Sequence, residues 1–511
     1  MQQPTLSGIG ALFRERARID RSAVALLEGD RQISYGELND RVNRLVHVFA
    51  GYGLGNGDRI AILARNCAAY MEVELAAAKL GVLVAALNWR LSADELSHCI
   101  ALAEPKLVVV AEDYVDTLDA IDCFSGPRLT IGGDYESCLA LADHLEPPAD
   151  AGGEDGLVIL YTSGTTGRPK GAVISHRALL ARAAVFGMDL GIRANEAFVA
   201  WAPFFHMAST DQALATLLRG GAVIIIDGYD ADEFHRTIAS QRIGWLPLIP
   251  GMIEQLLRDL AGSPPKVKAI RVIGAMPDLV AAHHIVAATE RLNAAYVNSF
   301  GSTETGLPPA TGGLIPIGGD PTDLAKTQSS LCEIRLVDEH DNDVSPGTPG
   351  ECAIRGPTLF SGYWRDQEAT NKDFRGGWFH MGDVFVRHED GRLAFKDRVK
   401  YLIKSGGENI YPAEIERVLL SDPAVDDAVV VRRLDTRWGE VPVAAVAVND
   451  PQVTVKTLLQ RCQNELARYK QPKEIRLVRF EDLPRSTTGK VQRHEVEPWF
   501  QNTESDSDTS G

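Results

Sequence analysis

The segment that most constrains the fold of this chain is a short apolar run followed by a loop rich in glycine and hydroxyl residues. Residues 157–161 read Leu-Val-Ile-Leu-Tyr, and their length and aliphatic content predict a buried β-strand. A second short apolar run covers residues 172–174, just beyond Lys170 and Gly171. The sequence therefore predicts a strand, then a tight loop, then a second short apolar segment.

The loop between these runs carries groups that suit a polyphosphate ligand. Glycine lets backbone N–H groups approach an anion closely, hydroxyl side chains add donors, and a lysine adds positive charge. It is not the phosphate loop of common NTPases, because no Gly-Lys-Ser/Thr sequence opens a helix here. A bare Gly-Thr-Thr-Gly would equally suit an ordinary hairpin turn, but the full string 161–172 is far more specific. The candidate phosphate ligands are Thr162, Ser163, Gly164, Thr165, Thr166, Gly167 and Lys170.

Length, cysteine content and hydropathy indicate an ordinary protein of more than one domain. A chain of 511 residues is too long for one core and predicts at least two domains. Its seven cysteines are scattered and odd in number, which indicates reduced thiols and a cytoplasmic location. The most apolar long stretch, residues 68–87, contains Glu72, Glu74 and Lys79, so we expect packed helix and strand there and no transmembrane segment.

The formal charge of −17 argues against nucleic acid and against an anionic membrane surface as partners. The same charge would repel a polyanionic ligand such as a nucleotide. Any nucleotide site must therefore be a local basic patch within a repelling field.

Alternating apolar and polar runs predict the order of the domains. Strands and helices alternate through the first three hundred residues, which predicts layered α/β sheets. From residue 329 the pattern changes to short strands and tight turns, which predicts a small β-barrel or sandwich. Beyond residue 398 a helix at 412–420, strands at 428–432 and 442–448, and a helix at 455–466 predict a small α+β domain. Residues 502–511 are rich in serine, aspartate and threonine and are predicted to be disordered.

Six strings in this order resemble the motifs of the adenylate-forming superfamily, in particular its acyl-CoA synthetases. They are residues 161–172, 300–304, 377–383, 395–400, 403–416 and 483–490. The resemblance implies an α/β fold with a large N-terminal domain of layered sheets and a small β-barrel over residues 1–398. It also implies a smaller, mobile α+β domain over residues 399–501.

The resemblance implies a role in ATP binding for several residues. Phe300 would stack on adenine, Thr303 would meet the α-phosphate, and Glu304 would bind Mg²⁺ together with Thr165. Asp383 would hold the ribose hydroxyls, Arg398 would reach ribose or phosphate, and Lys490 would close over the α-phosphate as the catalytic lysine. Gly301 and Ser302 complete the motif at 300–304.

The resemblance also implies an acyl pocket, a coenzyme A site and a hinge. His206 would act as a gate at the reacting carboxylate, although a packed core histidine is an equally good interpretation of this residue. The pivot between the domains would be Lys400. The predicted pocket residues are Phe205, His206, Met207, Ala208, Leu248, Gly274, Ala275, Gly301, Ser302 and Leu307. The predicted coenzyme A residues are Arg90, Gly406, Gly407, Trp438, Lys470 and Lys473.

Four positions depart from the usual motifs of this superfamily. Phe300 replaces a tyrosine, Met381 replaces a threonine, and Gln471 stands where one related ligase type has arginine. Residues 327–332 lack the glycine- and proline-rich connection that precedes the barrel. Asp211 lies outside the register in which peptide-synthetase domains place their aspartate, which counts against activation of an amino acid.

The function implied is an ATP-dependent carboxylic acid:CoA ligase that works through an acyl-adenylate and releases AMP and pyrophosphate. ATP, Mg²⁺ and coenzyme A are the implied small molecules, and an aryl, alicyclic or medium-chain fatty acid is the expected substrate. A stand-alone adenylation enzyme that loads a carrier protein would share every ATP residue. A luciferase-like oxygenase and a non-catalytic nucleotide-binding relative are further alternatives, and a homodimer is left open.

Overall fold

The protein is described here by a computed structural model. It covers residues 7–121, 123–148, 151–162, 168–248, 252–261, 266–319, 321–485 and 491–501. The chain divides into two units, the first formed by Met1–Ile334 and Ile354–Phe379, the second by Arg335–Ala353 and His380–Gly511. Among the described residues, no helix is both long and apolar enough to cross a lipid bilayer.

The described residues of the first unit form sixteen strands, which build two large sheets and a hairpin. They are β1 (Val24–Glu28), β2 (Arg31–Ser34), β3 (Arg59–Leu63), β4 (Leu83–Ala86), β5 (Leu107–Ala111), β6 (Arg128–Ile131), β7 (Gly156–Thr162), β8 (Lys170–Ser175), β9 (Ala197–Ala200), β10 (Val223–Ile225), β11 (Arg242–Leu246), β12 (Ala269–Ile273), β13 (Ala295–Asn298), β14 (Gly301–Ser302), β15 (Gly306–Pro309) and β16 (Gly313–Ile315).

Both large sheets are parallel in their interior and antiparallel at an edge. The eight-stranded sheet has the order β16-β13-β12-β11-β9-β10-β1-β2, with antiparallel strands at its two edges. The six-stranded sheet has the order β6-β5-β3-β4-β7-β8, and only β8 pairs antiparallel. Strands β4 and β9 are buried along their whole length, as expected for parallel strands covered by helices on both faces.

Twelve α-helices are formed by the part of the first unit that the structure describes. They are α1 (Ile9–Ile19), α2 (Tyr35–Gly51), α3 (Ala68–Leu80), α4 (Ala93–Ala103), α5 (Val115–Asp119), α6 (Tyr135–Leu141), α7 (His176–Leu190), α8 (Met207–Arg219), α9 (Ala231–Ser240), α10 (Ile253–Asp259), α11 (Ala282–Leu292) and α12 (Gln367–Asp373).

Local sequence explains where the helices next to the site begin and end. Helix α7 begins after Ser175, whose side chain accepts a hydrogen bond from the backbone N–H of Ala178. It ends at Gly191, whose φ of 63° is the left-handed conformation that glycine adopts without a Cβ penalty. Helix α8 ends in the same way at Gly220, where φ is 88°. These two helices therefore have fixed ends beside the eight-stranded sheet.

The second unit holds the remaining strands and helices, apart from the first residues of β17, the last of β18 and the first of β19. A four-stranded sheet has the order β17 (Glu333–Val337), β18 (Pro349–Arg355), β19 (Phe379–Arg387), β20 (Leu393–Arg398). A five-stranded sheet contains β21 (Ile403–Ser405), β22 (Glu408–Ile410), β23 (Val425–Asp435), β24 (Gly439–Val448) and β25 (Ile475–Val478). The helices are α13 (Pro412–Leu420), α14 (Val455–Glu465) and α15 (Arg493–Val496).

The predicted fold class is confirmed: mixed α/β sheets form the large part of the chain and a smaller α+β part follows. The core of the small part is built by β23 and β24, which pair over most of their length and bury Val430, Ala444 and Val446 against Ile415 of α13. The boundary predicted between residues 398 and 399 stays a prediction, and the predicted tail at 502–511 lies outside the described residues.

Candidate active site

The predicted acyl-pocket residues lie where neighbouring parallel strands of the eight-stranded sheet end. The pocket residues His206, Leu248 and Gly274 follow β9, β11 and β12, and Phe300, predicted to stack on adenine, follows β13. Because β9, β11, β12 and β13 are parallel, their carboxyl ends meet at one edge of the sheet. This edge is where ligands bind in open α/β sheets.

Close packing requires a glycine at position 274. Its φ is +80°, and a Cβ there would lie 2.2 Å from the ring of Tyr296. The Gly274 carbonyl accepts a hydrogen bond of 2.9 Å from the indole of Trp245, and the hydroxyl of Tyr296 donates to the carbonyl of Ala275 at 2.9 Å. Two buried aromatic side chains thus fix the backbone at the end of β12.

His206 occupies the N-cap of α8. Its Nδ1 accepts a hydrogen bond of 3.2 Å from the backbone N–H of Ala208, so a neutral ring carries its proton on Nε2. The flanking Phe205 and Met207 are buried, and the Phe205 ring meets the ring of Trp89 edge-on at 6.5 Å. His206 is therefore a positioned residue at a helix start, although both interpretations of its role remain open.

Glu304 lies in the tight turn between β14 and β15. The backbone N–H of Ser302 donates to Thr305 Oγ1 at 2.9 Å, which closes the turn. Gly301 allows the two strands to approach, because a Cβ there would lie 2.0 Å from the carbonyl oxygen of Gly306. Leu307, a predicted pocket residue, is buried in β15 on the same hairpin.

The described part of the phosphate loop begins and ends on an antiparallel pair. Thr162, the last residue of β7, stands opposite Lys170, the first residue of β8. Lys170 Nζ lies 4.7 Å from the ring centroid of Tyr363, within cation–π range. The predicted ligands between the two strands, Ser163, Gly164, Thr165, Thr166 and Gly167, lie outside the described residues.

Tyr363 connects the two halves of the predicted ATP site. Its hydroxyl lies 3.1 Å from Glu304 Oε1 and 3.2 Å from Asp373 Oδ2. A hydroxyl has one proton and can donate to one carboxylate at a time, so the second contact requires a proton on a carboxyl group. Burial raises the pKa of Asp373, against the opposing charge of Lys170, and burial next to Glu304 raises the pKa of Tyr363. Burial therefore favours a proton on Asp373, and with that proton the tyrosine hydroxyl can contact both carboxyl groups.

Sequence reasoning missed Tyr363, Asp373 and the segment that carries the tyrosine. Residues 360–364 run beside β8: the N–H of Ser361 donates to Val173 O at 2.8 Å, and the N–H of Trp364 to Gly171 O at 2.7 Å. The aromatic run Phe360, Tyr363 and Trp364 was the available signal. No local pattern indicated that it would pair with a strand almost two hundred residues earlier.

The predicted coenzyme A residue Arg90 lies on an aromatic surface in the first unit. The guanidinium groups of Arg90 and Arg65 each lie 4.7 Å from the ring centroid of Trp89, and Trp89 stacks on Tyr114 at 6.0 Å. Arg65 also forms an ion pair of 3.0 Å with Asp227. The cleft here, of about 90 Å³, is lined by Arg65, Asn66, Trp89, Arg90, Trp201, Pro203, Asp227 and Gly228. Arg65 was not predicted from the sequence.

In the second unit the two predicted ribose residues lie side by side. Asp383 on β19 stands opposite Arg398 at the end of β20, with Nε and Oδ1 separated by 3.0 Å. Asp383 is buried, whereas the Arg398 side chain is 43% exposed. The neighbouring Asp397 accepts a hydrogen bond of 2.7 Å from the N–H of Ala413 at the start of α13, and burial raises its pKa.

The predicted hinge residue Lys400 lies in a single 3-10 turn, Val399–Tyr401, directly after β20. Its side chain is exposed, and its Nζ lies 4.8 Å from the ring centroid of Tyr401. This position falls inside the second unit. The role of Lys400 as a pivot stays a prediction.

The structure brings two of the predicted coenzyme A elements into contact. Gly406 and Gly407, with φ of +59° and +90°, form the turn between β21 and β22. The N–H of Gly406 donates to Trp438 O at 2.8 Å, and a Cβ on Gly406 would lie 2.7 Å from the indole ring. Lys470 instead pairs with Glu414 at 2.8 Å, and Lys473 is exposed. Lys490 lies outside the described residues.

The chain matches two family models along most of its length. The model described as AMP-binding enzyme matches residues 13–364, and the model described as AMP-binding enzyme C-terminal domain matches residues 414–490.

Among curated proteins it is similar to long-chain-fatty-acid–CoA ligase FadD13 of Mycobacterium tuberculosis, with 31% identity over 95% of this chain and 97% of that protein. It is also similar to feruloyl-CoA synthase of Amycolatopsis sp, with 32% identity over 96% of this chain and 99% of that protein.

Solved structures show the same architecture. O-succinylbenzoate CoA synthetase (MenE) from Bacillus subtilis, in complex with its acyl-adenylate intermediate, superposes with a TM-score of 0.83 at 26% identity. The alignment covers 95% of this chain and 97% of that one. The family matches, the relatives and the placement of the motifs agree, and the chain belongs to the AMP-binding enzyme family, in the acyl-CoA ligase branch of the adenylate-forming superfamily.

Proposed function

We propose that this protein is an ATP-dependent ligase that joins an apolar carboxylic acid to coenzyme A through an acyl-adenylate. The observation that carries the proposal is the arrangement in the first unit. The predicted pocket residues follow strands at the carboxyl edge of the eight-stranded sheet, and the β14–β15 hairpin that carries Glu304 comes after β13. Tyr363 joins this turn to Lys170 on the second sheet.

In the first step a carboxylate oxygen of the substrate attacks the α-phosphorus of ATP, and pyrophosphate leaves. Reactions of this kind depend on positioning and on neutralisation of charge more than on a covalent nucleophile. Lys170 would neutralise charge on the phosphates, the hydroxyl groups of the loop would donate hydrogen bonds to them, and Asp383 with Arg398 would hold the ribose. Lys490 would neutralise the developing charge at the α-phosphate.

The residues present fit a bound Mg²⁺. In the described parts of the chain no group of three or more metal-ligating side chains is found, so a protein-only metal cage is not indicated there. Mg²⁺ typically uses one or two carboxylates together with substrate phosphates and water. Glu304, half-exposed and held by Tyr363, offers such a carboxylate, and the ion would supply charge neutralisation to the phosphates.

In the second step the coenzyme A thiol attacks the acyl carbonyl carbon, and the bond to AMP breaks. Gly406 and Gly407 would admit the thin pantetheine chain because neither carries a Cβ. Trp438, with Arg437 stacked at 4.8 Å, would offer a platform for the adenine, and Arg90 a phosphate contact. A change of backbone angles at Lys400 between the two steps is part of the proposal.

The substrate class follows from the pocket residues, which are mostly apolar or small. A long-chain fatty acid and ferulate are the acids in the names of the two relatives described above. For this chain we propose an aryl, alicyclic or medium-chain fatty acid. A cytoplasmic location is part of the proposal, because seven scattered cysteines, an odd number, indicate reduced thiols. The homodimer left open by the sequence stays a prediction.

The test is a panel of carboxylic acids assayed for pyrophosphate release with Mg·ATP, followed by thioester detection with free coenzyme A. The expected result is acid-dependent release of pyrophosphate and an acyl-CoA in equal amount for at least one apolar acid. Release of pyrophosphate without thioester would favour a carrier protein as the acceptor. No release with any acid would contradict the proposal.

A further inference from the structure

A buried ion pair lies behind the Glu304 turn. Arg182 of α7 and Asp211 of α8 meet with Nη1 and Oδ2 separated by 3.0 Å, and their side chains are 0% and 3% exposed. Taking both charges out of water costs free energy that their attraction offsets only when geometry and further hydrogen bonds are good. An apolar pair would fill the space between two helices at lower cost, so the pair requires an explanation.

The remaining donors of Arg182 bind the backbone of the predicted ATP site. Nη2 donates to the carbonyl of Thr303 at 3.1 Å, and Thr303 directly precedes Glu304. Nε donates to the carbonyl of Thr358 at 2.9 Å. A planar guanidinium can reach a carboxylate and two carbonyls at once because its donors point in fixed directions.

The aliphatic part of Arg182 packs against the other end of the same turn. Gly306 closes the turn with a φ of +76°, and a Cβ there would lie within 2.9 Å of Arg182 Cγ, Cδ and Nε. The side chain thus contacts the turn on both sides of Glu304: the carbonyl before it and the glycine after it.

The Thr358 contact extends this support to Tyr363. Phe360, two residues further on, donates its N–H to the carbonyl of Glu304 at 2.8 Å, and the chain then runs along β8 to Tyr363. Arg182 therefore ties the Glu304 turn to the segment whose tyrosine holds the Glu304 carboxylate. Asp211 accepts a hydrogen bond from Nη1 of the same guanidinium, and it lies on a helix whose first turn carries predicted pocket residues.

We infer that Arg182, held by Asp211, is a positioning residue that sets the Glu304 turn for Mg·ATP. This inference rests on the proposed function only through the role of Glu304 as a metal ligand. Neither Arg182 nor Asp211 contacts the reacting atoms in this account. Their effect reaches the nucleotide through the backbone of Thr303 and the position of one carboxylate.

The test measures nucleotide binding by titration calorimetry, which requires no turnover. Arg182→Lys keeps the charge but cannot make the three directed contacts. We expect it to weaken binding of Mg·ATP about ten-fold, because small displacements of positioning groups have large effects. Binding of ATP in EDTA should change less than two-fold, since no metal then depends on Glu304.

A matched control is Arg41→Lys, in the same unit. Arg41 also pairs with a buried carboxylate, Glu72, at 2.6 Å, but its other partner among the described residues is Glu136, which lies outside the predicted site. We expect this variant to lose stability and to bind Mg·ATP as the wild type does. Asp211→Asn, which keeps an acceptor for the guanidinium, should show the Mg²⁺-dependent loss of Arg182→Lys in weaker form. If Arg182→Lys does not fold, the binding measurement on Asp211→Asn still tests the inference.

Equal affinity of the wild type and both site variants for Mg·ATP would overturn the inference. So would a loss of equal size with and without Mg²⁺, because the pair would then only stabilise the fold. Failure of the wild type to release pyrophosphate with any acid would contradict the proposed function instead. The binding comparison would still support or overturn the role of Arg182.

Discussion

The hydroxyl of Tyr363 lies 3.1 Å from Glu304 Oε1, although the two residues are 59 positions apart in the chain. The same hydroxyl contacts Asp373, and the ring carries Lys170 on its face. One tyrosine therefore links the carboxylate proposed to bind Mg²⁺ with the lysine that ends the phosphate loop. This contact makes the position of Glu304 dependent on a segment outside the recognised motifs.

Tyr363→Phe should weaken the use of Mg·ATP. Hydrogen bonds to charged groups contribute about 1.5–3 kcal/mol, so we expect kcat/KM for Mg·ATP to fall at least about ten-fold. The KM for the acid should stay within about two-fold, because the pocket residues at the carboxyl edge of the sheet are untouched. Steady-state pyrophosphate release measures both quantities. An unchanged kcat/KM for Mg·ATP would show that the contact between Tyr363 and Glu304 does not matter for the use of Mg·ATP.

Asp373→Asn tests the proton that the geometry requires. Burial raises the pKa of Asp373. The carboxyl group therefore keeps its proton at pH values below this raised pKa and loses it as the pH rises through the pKa. Above that pH the ionised carboxylate competes with Glu304 for the hydroxyl proton of Tyr363. The KM of the wild type for Mg·ATP should therefore rise with pH. The KM of the variant should not change with pH, because its amide does not ionise. Parallel pH profiles would show that Asp373 does not compete.

Gly406→Ala should impair only the second half-reaction. A Cβ at this position meets the ring of Trp438 at 2.7 Å, and φ of +59° already disfavours alanine. We expect the KM for coenzyme A to rise about ten-fold, with pyrophosphate release in its absence unchanged. The control is Gly391→Ala, which has a φ of +86° and no heavy atom within 4 Å of the added Cβ. Equal KM values for coenzyme A in the two variants would contradict the assignment of Gly406 to the coenzyme A site.

Glu74→Gln should change how stability depends on pH. Glu74 is fully buried in α3, accepts a hydrogen bond of 2.7 Å from Thr210, and has a pKa raised to about 8, mainly by burial and further by Asp211. Because the folded pKa exceeds the unfolded value, its contribution is fully present below about pH 4.5 and is lost as the pH rises to about 8.

Urea unfolding at pH 5, 7 and 9 measures this effect. The variant should be more stable than the wild type at pH 9 by about 1–3 kcal/mol and close to it at pH 5. The control is Glu154→Gln, at a carboxylate whose side chain is 76% exposed. We expect it to change the free energy of unfolding by the same amount at pH 5 and at pH 9. A constant difference between Glu74→Gln and the wild type at all three values would show that Glu74 is not protonated in the fold.

Lys490→Ala should separate the two half-reactions. Adenylation should fall by about 10²–10³, the usual effect of removing a group that stabilises transition-state charge. Thioester formation from supplied acyl-adenylate should stay within a few-fold. Stopped assays of each half-reaction on one preparation give both rates, and equal losses would contradict a role confined to the first step.

Local sequence predicted the secondary structure of this protein well. Helix α13 spans residues 412–420, as its pattern indicated, because Pro412 at its first turn and its apolar spacing are local signals. Strand β23 runs from 425 to 435, beyond the predicted 428–432, because pairing with β24 extends it into polar sequence at both ends.

The contacts that organise the site could not be predicted from one sequence. Tyr363 meets Glu304, and Arg182 meets Asp211 and Thr303, through packing of distant segments that leaves no periodic pattern. A buried charged pair on two mostly apolar helices was visible only as isolated polar residues. Resemblance to motifs supplied the candidate ligands, whereas the residues that hold them required the fold.

In the proposed first step, an oxygen of the acid's own carboxylate attacks the α-phosphorus of ATP. The most direct measurement uses an accepted acid labelled with ¹⁸O in its carboxyl group, with mass spectrometry of the nucleotide and phosphate products after turnover with coenzyme A. If the attack occurs at the α-phosphorus, the AMP will carry one ¹⁸O from the carboxylate and the pyrophosphate will be unlabelled. Label in inorganic phosphate with ADP as the nucleotide product would contradict it, because attack would then have occurred at the γ-phosphorus.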